Sequence, residues 1–216
     1  MSLVIERWIP PDQGALFVVT GASGTGKTTL VQAALQTVPG IDFSVSATTR
    51  PARSDERAGV DYHFLAPAEF DEKVGAGEFL EWAEVYGHRY GTLRASVTDA
   101  ISSGRSILLD IDTQGAAQVR VAMPEAVTIF ILPPSIETLG ERLRARATDS
   151  PESITRRIRE AQLQLGQCSR FDYIVVNDHL ESAQDQFAAV LVAELRKTTR
   201  SATLIARFSV ESVTTN

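Results

Sequence analysis

The sequence predicts an α/β fold, a three-layer core with helices on both faces of a mostly parallel sheet, and three observations predict it. Short, almost wholly apolar runs alternate along the chain with longer segments of helical periodicity. The first such run leads through a glycine-rich stretch straight into a helical pattern. The 216 residues are 44% hydrophobic and 22% charged, which suits one globular core with insertions and is too apolar for a disordered chain.

The elements follow in order. Ala15-Leu-Phe-Val-Val-Thr20 is a continuous apolar run, as expected of a strand buried on both faces. Residues 28–38 place Leu30, Val31, Ala34 and Leu35 at helical spacing, and Pro39-Gly40 stops the helix. Further strands are expected over 106–110, 126–132 (ended by Pro133-Pro134) and 173–177, and helices over 136–147, 153–168 and 181–197. Two segments break the alternation and read as insertions at the ligand-bearing edge of the core. One is 43–96, a mixture of short β-like pieces with a helical piece near 69–74. The other is the polar, arginine-rich 145–159. Residues 201–216 alternate weakly, which predicts an added edge strand.

The chain carries 21 Lys+Arg against 27 Asp+Glu, a net charge of −6. Coating a nucleic acid or an anionic membrane needs a wide basic surface, so neither partner is expected. A small anionic ligand answers to the local field instead. Only Lys27, Lys73 and Lys197 are lysines, and arginines gather at Arg50/Arg53 and from Arg142 to Arg159. The single cysteine, Cys168, has no disulfide partner and no metal-ligand spacing around it, so a small buried or half-buried residue on a helix, in a reducing compartment, is expected. No run approaches the ~18 apolar residues of a membrane span. Residues 1–14, with Glu6, Arg7, Asp12 and two prolines, do not read as a signal peptide, and a cytoplasmic location is expected.

Gly21-Ala22-Ser23-Gly24-Thr25-Gly26-Lys27-Thr28 matches G-x-x-x-x-G-K-[ST] between a strand and a helix, the context this motif needs. Its glycines let backbone N–H groups turn inward around phosphate oxygens, and the helix N-terminus adds a partial charge of about half an electron. Lys27 can reach β- and γ-phosphates, and the Thr28 hydroxyl can ligate Mg²⁺; Thr29 completes the stretch that contacts the nucleoside triphosphate. In Asp110-Ile-Asp112 the period of two puts both carboxylates on one face. Asp110 could hold Mg²⁺ through water, or both aspartates could cap the following helix.

Such a loop leaves ATPase, GTPase and kinase open. Ser44-Val-Ser46-Ala-Thr-Thr-Arg50-Pro-Ala-Arg53 is followed by Gly59-Val-Asp-Tyr62-His-Phe. Two arginines three apart, with a tyrosine near, can grip one phosphate through forked N–H donors and a phenol. Phe79-Leu-Glu81-Trp-Ala and Tyr90-Gly-Thr92 come next. With these pieces, the L-D-I-D-x-Q-G segment, an arginine-rich lid and F-D-Y-x-V-x-N-D, the sequence resembles the guanylate kinases over nearly its whole length.

The resemblance implies transfer of the γ-phosphoryl group of ATP to GMP on a P-loop core, with an inserted GMP-binding subdomain and a short helical lid. The core would take 1–43, 97–140 and 160–216, the GMP subdomain 44–96 and the lid 141–159. Arg50, Arg53, Tyr62 and Tyr90 would hold the GMP phosphate, while Ser46, Glu81, Thr92 and Asp112, with Asp110 beside them, would line the guanine pocket. Guanine's N1–H and amino donors want a carboxylate such as Glu81, and its O6 wants a hydroxyl. A polar pocket of this kind can discriminate by ~10⁴-fold. Lys27, Arg50, Arg142, Arg146 and Arg157 would be the catalytic cations, and Asn177 would lie near the adenine. The family usually has glycine where this chain has Ala147, and Arg89 and Leu93 are further local variations. Three alternatives are weaker. A P-loop kinase for another phosphorylated acceptor, such as a ribose bisphosphate, would not need the guanine-recognition set. A silent guanylate-kinase-like binding domain would be expected to lose the loop or the lid arginines. A P-loop GTPase or ATPase switch would lack the second anion site.

Overall fold

The computed structural model describes residues 8–85, 87–145 and 151–208. Its central sheet has five strands in the order β2-β7-β1-β8-β9, all parallel: β1 Leu16–Thr20, β2 Ile41–Phe43, β7 Ser106–Asp110, β8 Val127–Leu132 and β9 Tyr173–Val176. β1 is central and buried on both faces, which is why it reads as unbroken hydrophobicity. Its side chains divide by parity. Phe17 and Val19 pack with Leu30, Val31 and Ala34 of α1 (Lys27–Thr37) and with Phe187 and Leu191 of α7 (Leu180–Leu195). Leu16 and Val18 pack with Val97 and Ile101 of α3 (Arg94–Ser102) and with Ala116 and Val119 of α4 (Thr113–Ala122). The result is the three-layer α/β arrangement with a parallel sheet.

A second, four-stranded sheet, β4-β3-β6-β5, is formed by β3 Ala47–Thr48, β4 His63–Phe64, β5 Phe79–Val85 and β6 His88–Leu93. α2 (Pro67–Gly75) covers it, with Phe70 stacked on Phe79 at 4.3 Å between ring centroids. Arg89 lies over the Phe70 ring at 4.9 Å and pairs with Asp71, so this local variation joins β6 to α2. Leu93, the other variation, packs against the same small core. α5 (Ile136–Ala145) and α6 (Pro151–Leu165) bring Leu139, Leu143 and Ala161 against Ala22 of the glycine-rich loop.

The structure differs from expectation in two elements. β2, only three residues long with Asp42 and Phe43 exposed, carries no apolar run, yet it closes one edge of the core sheet. The expected C-terminal edge strand is absent from the described residues, and Ala202–Ala206 form a short helix, α8, instead. The Asp12 carboxylate accepts the Thr203 N–H at 2.6 Å, supplying an acceptor at the start of that helix. Residues 209–216 lie outside the described part. α6 ends at Leu165, short of the helix expected over 153–168, so the half-buried Cys168 begins a 3₁₀ turn whose other two residues are exposed.

Candidate active site

The glycine-rich loop runs from the C-terminal end of β1 to the N-terminus of α1, as the parallel βα geometry requires. It encloses a cavity of about 150 Å³ lined by Ala22, Ser23, Gly24, Gly26, Lys27, Thr28 and Thr29. Lys27 Nζ donates to the Gly21 carbonyl at 2.6 Å and stands 3.9 Å from Asp110 Oδ1. Thr25 is buried, its hydroxyl turned back to the Ala22 carbonyl at 2.9 Å, so it shapes the loop from within. Gly26 has φ +89°, and a Cβ there would lie 2.3 Å from Asn177 Nδ2.

Asn177 itself is buried beneath the loop and donates to the Thr25 carbonyl at 2.8 Å. Its main-chain carbonyl accepts from Arg142 at 3.0 Å. Asn177, the residue expected near an adenine, thus braces the phosphate loop with its side chain and meets α5 through its main chain. Arg157, on α6, donates to the Ser23 hydroxyl at 2.6 Å. Arg146 and Ala147 lie outside the described residues.

A second cavity, about 260 Å³, lies on the other side of Asp110. Ser46, Tyr62, Glu81, Tyr90, Asp110 and Asp112 are among its lining residues. Lys27 lines one cavity and Asp110 the other, so their contact marks the boundary between the two. Glu81 is only 6% exposed. Burial pushes its carboxyl above the ordinary range, the hydrogen bond from Thr92 opposes this, and the neighbouring Asp112 adds to the rise. Burial likewise raises Asp110, against the pull of Lys27. Asp112 does what the capping alternative asked: its Oδ1 accepts the N–H groups of Gln114 and Gly115 at 3.0 and 2.8 Å. It lines the cavity as well.

Thr92 departs from expectation. It is fully buried, and its hydroxyl donates to Glu81 Oε1 at 2.7 Å. It stands behind the carboxylate and spends its proton there. Ser46 supplies the aliphatic hydroxyl among the residues that line the cavity, beside the phenols of Tyr62 and Tyr90.

Arg50 lies beside the cavity with its guanidinium carbon 5.4 Å from the Tyr62 ring centroid, and the Tyr62 and Tyr90 rings meet edge to face at 6.0 Å. Glu56 was not singled out by sequence reasoning. It accepts Arg50 Nη2 at 2.7 Å through one oxygen and the Arg53 N–H at 2.8 Å through the other. The bond from Glu56 is the main reason the Arg50 guanidinium holds its proton more tightly than usual. The Arg53 side chain is exposed. Only its spacing, three residues beyond Arg53, could have marked Glu56.

Among the described residues no group of three or more His, Cys, Asp or Glu side chains could hold a metal on its own. No described helix is long and apolar enough to cross a membrane.

Residues 13–194 match the family model described as Guanylate kinase. The guanylate kinase of Symbiobacterium thermophilum is 47% identical over 189 residues, spanning 88% of this chain and 90% of that protein. That of Thermotoga maritima is 43% identical, spanning 92% and 96%. The crystal structure of guanylate kinase from Anaplasma phagocytophilum superimposes with a TM-score of 0.69 at 35% identity, over 94% of this chain and 99% of that one. A phosphate loop, a neighbouring cavity lined by three carboxylates and similarity of this depth over most of the sequence agree with one another, and the chain belongs to the guanylate kinase family.

Proposed function

We infer that the chain transfers the γ-phosphoryl group of ATP to GMP, giving ADP and GDP. The observation that carries this reading is the pair of adjoining cavities with the Lys27–Asp110 contact between them. One has a phosphate-binding loop, and the other has carboxylates that match the donors of guanine. The reaction needs two anionic ligands end to end, and catalysis is then a matter of positioning, charge screening and water exclusion.

In this reading the main-chain N–H groups of residues 21–28 cradle the ATP phosphates, and Lys27 leaves the Gly21 carbonyl to meet them. Glu81, in its ionised form, accepts from the guanine N1–H and amino group. Ser46 donates to O6, and Asp112 closes the base side of the pocket. Arg50, Arg53, Tyr62 and Tyr90 grip the GMP phosphate, with Glu56 holding the two arginines in register. Arg142, Arg146 and Arg157 cover the transferring group. The GMP phosphate oxygen is already ionised, so the attack needs no side-chain base. The oxygen-only donor set of the Thr28 hydroxyl and the Asp110 carboxylate, too few to cage an ion alone, suits a magnesium ion that arrives with the nucleotide. When bound, Mg²⁺ would neutralise charge on the β- and γ-phosphates.

A coupled assay of ADP release from ATP tests the reading directly. Turnover is expected with GMP and not with AMP, CMP or UMP, and absence of stimulation by GMP would sink it. Lys27→Ala is expected to abolish turnover while GMP still binds, measured by calorimetry.

A further inference from the structure

Residues 112, 115 and 118 recur at every third position of α4, so they form one stripe of the helix, and that stripe faces β5. Asp112 starts it as the helix cap. Gly115 is buried, and a Cβ there would lie 2.8 Å from Glu81 Oε2 and 3.2 Å from Ile111 Cδ1. The Gln118 amide brackets the residue that follows Glu81. Trp82 N–H donates to Gln118 Oε1 at 3.1 Å, and Gln118 Nε2 donates to the Trp82 carbonyl at 2.9 Å. An amide bonded both ways to one residue fixes the rotation of that piece of main chain as well as its position.

This support stands where the sheet itself is irregular. The register of β5 on β6 slips between Phe79 and Glu81, so Phe79, Leu80 and Glu81 are buried in succession and lose the alternation of a regular strand. The ladder to β6 therefore leaves the aim of Glu81 under-determined, and Thr92 holds only Oε1. The close approach of Gly115 bounds the other oxygen, and Gln118 sets the main chain that carries it.

We propose that Gly115 and Gln118 are positioning residues for base specificity: the α4 stripe aims the Glu81 carboxylate at the N1–H and 2-amino donors of the acceptor base. This rests on the reading of the chain as a GMP kinase. Gln118 is exposed, so its loss removes little core packing. Alanine is a better helix former than glycine, so G115A does not weaken α4 through propensity. A Cβ at 115 meets the Glu81 carboxylate first, at 2.8 Å, and Ile111 next, at 3.2 Å, so thermal midpoints separate its effect on the pocket from its effect on packing.

The test compares wild type, Gln118→Ala and Gly115→Ala in steady state with ATP against GMP and against IMP, which lacks the 2-amino group. In both variants the KM for GMP rises roughly tenfold, the KM for ATP stays within about twofold, and the GMP-over-IMP ratio of kcat/KM falls roughly tenfold. Thermal midpoints are read in parallel, and GMP affinity by calorimetry gives a readout independent of turnover. An unchanged GMP-over-IMP ratio, or KM values for GMP and ATP that rise together, would overturn the proposal. A wild type that does not turn over GMP would instead defeat the underlying reaction, so the two failures are separable.

Discussion

At the scale of single residues, Glu81 is held in a state that costs stability. Its carboxyl is raised above the ordinary range, so the native state binds its proton more readily than the unfolded chain does. Stability is then highest below the unfolded value, falls as pH rises through the raised native value, and is lowest where the carboxylate is fully ionised. Glu81→Gln is expected to have a melting midpoint at or above that of wild type at pH 7.5, with the difference shrinking toward pH 4.5 in a thermal melt. The same variant should lose GMP use far more than ATP binding, and equal loss of both would remove Glu81 from base recognition. For the wild type, the KM for GMP should begin to rise on acidification at a pH above that of an ordinary glutamate. Glu81 was legible in the sequence because F-L-E-W-A carries a family resemblance. Gly115 closes the L-D-I-D-x-Q-G segment and was legible as a motif residue, but its approach to Glu81 was not, nor was Gln118, because those contacts exist only once β5 and α4 have met; Glu56 was missed because its bonds to Arg50 and Arg53 depend on how the loop after β3 folds on itself. Thr92 was legible as a site residue, but its bond was not: only the pairing of β6 with the slipped register of β5 sets it opposite Glu81.

At the scale of elements, the phosphate loop is a clamped structure. Gly26 adopts a left-handed backbone and meets Asn177 at its open side. Gly26→Ala combines an unfavourable φ with a contact that leaves no room for a methyl group. It is expected to cost at least ~1 kcal/mol of stability and to weaken ATP binding, checked by urea unfolding and by nucleotide calorimetry. Strands of the core were legible where burial on both faces removes polar interruptions, as in β1, β7 and β8; β9, at the sheet edge with Ile174 and Val176 exposed, was legible only because its exposed face is apolar too. β2, β3 and β4 were not, since two or three residues give periodicity too little to work on. The tail was misread for a related reason: five residues of helix stabilised by a distant aspartate look locally like weak alternation.

At the scale of the whole molecule, an acidic chain sets Lys27 in the wall of one small cavity, with Arg157 bonded to Ser23 of that wall, and Arg50 against Tyr62 of the other. Added salt should raise the KM for both nucleotides by screening that local field, since the Debye length falls from ~10 Å at 0.1 M to ~3 Å at 1 M. Folding stability rests mainly on the apolar core and should move much less, as melts at both salt concentrations can show. In that core Phe187 of α7 is fully buried against the sheet. Phe187→Ala is expected to cost about 3–5 kcal/mol in denaturant unfolding.

The central position of β1 also sets a timetable. The Ala15 N–H, at its edge, is satisfied by the Ser106 hydroxyl, 91 residues later. β1 pairs in register only with β7 and β8, both translated after the whole four-stranded sheet. At roughly 5–20 residues per second of synthesis, this apolar strand waits for several seconds without a partner. The second sheet, whose strands all lie between them in sequence, can form during that wait. The nascent chain is thus the stage at which this protein is most open to mispairing and to capture by chaperones.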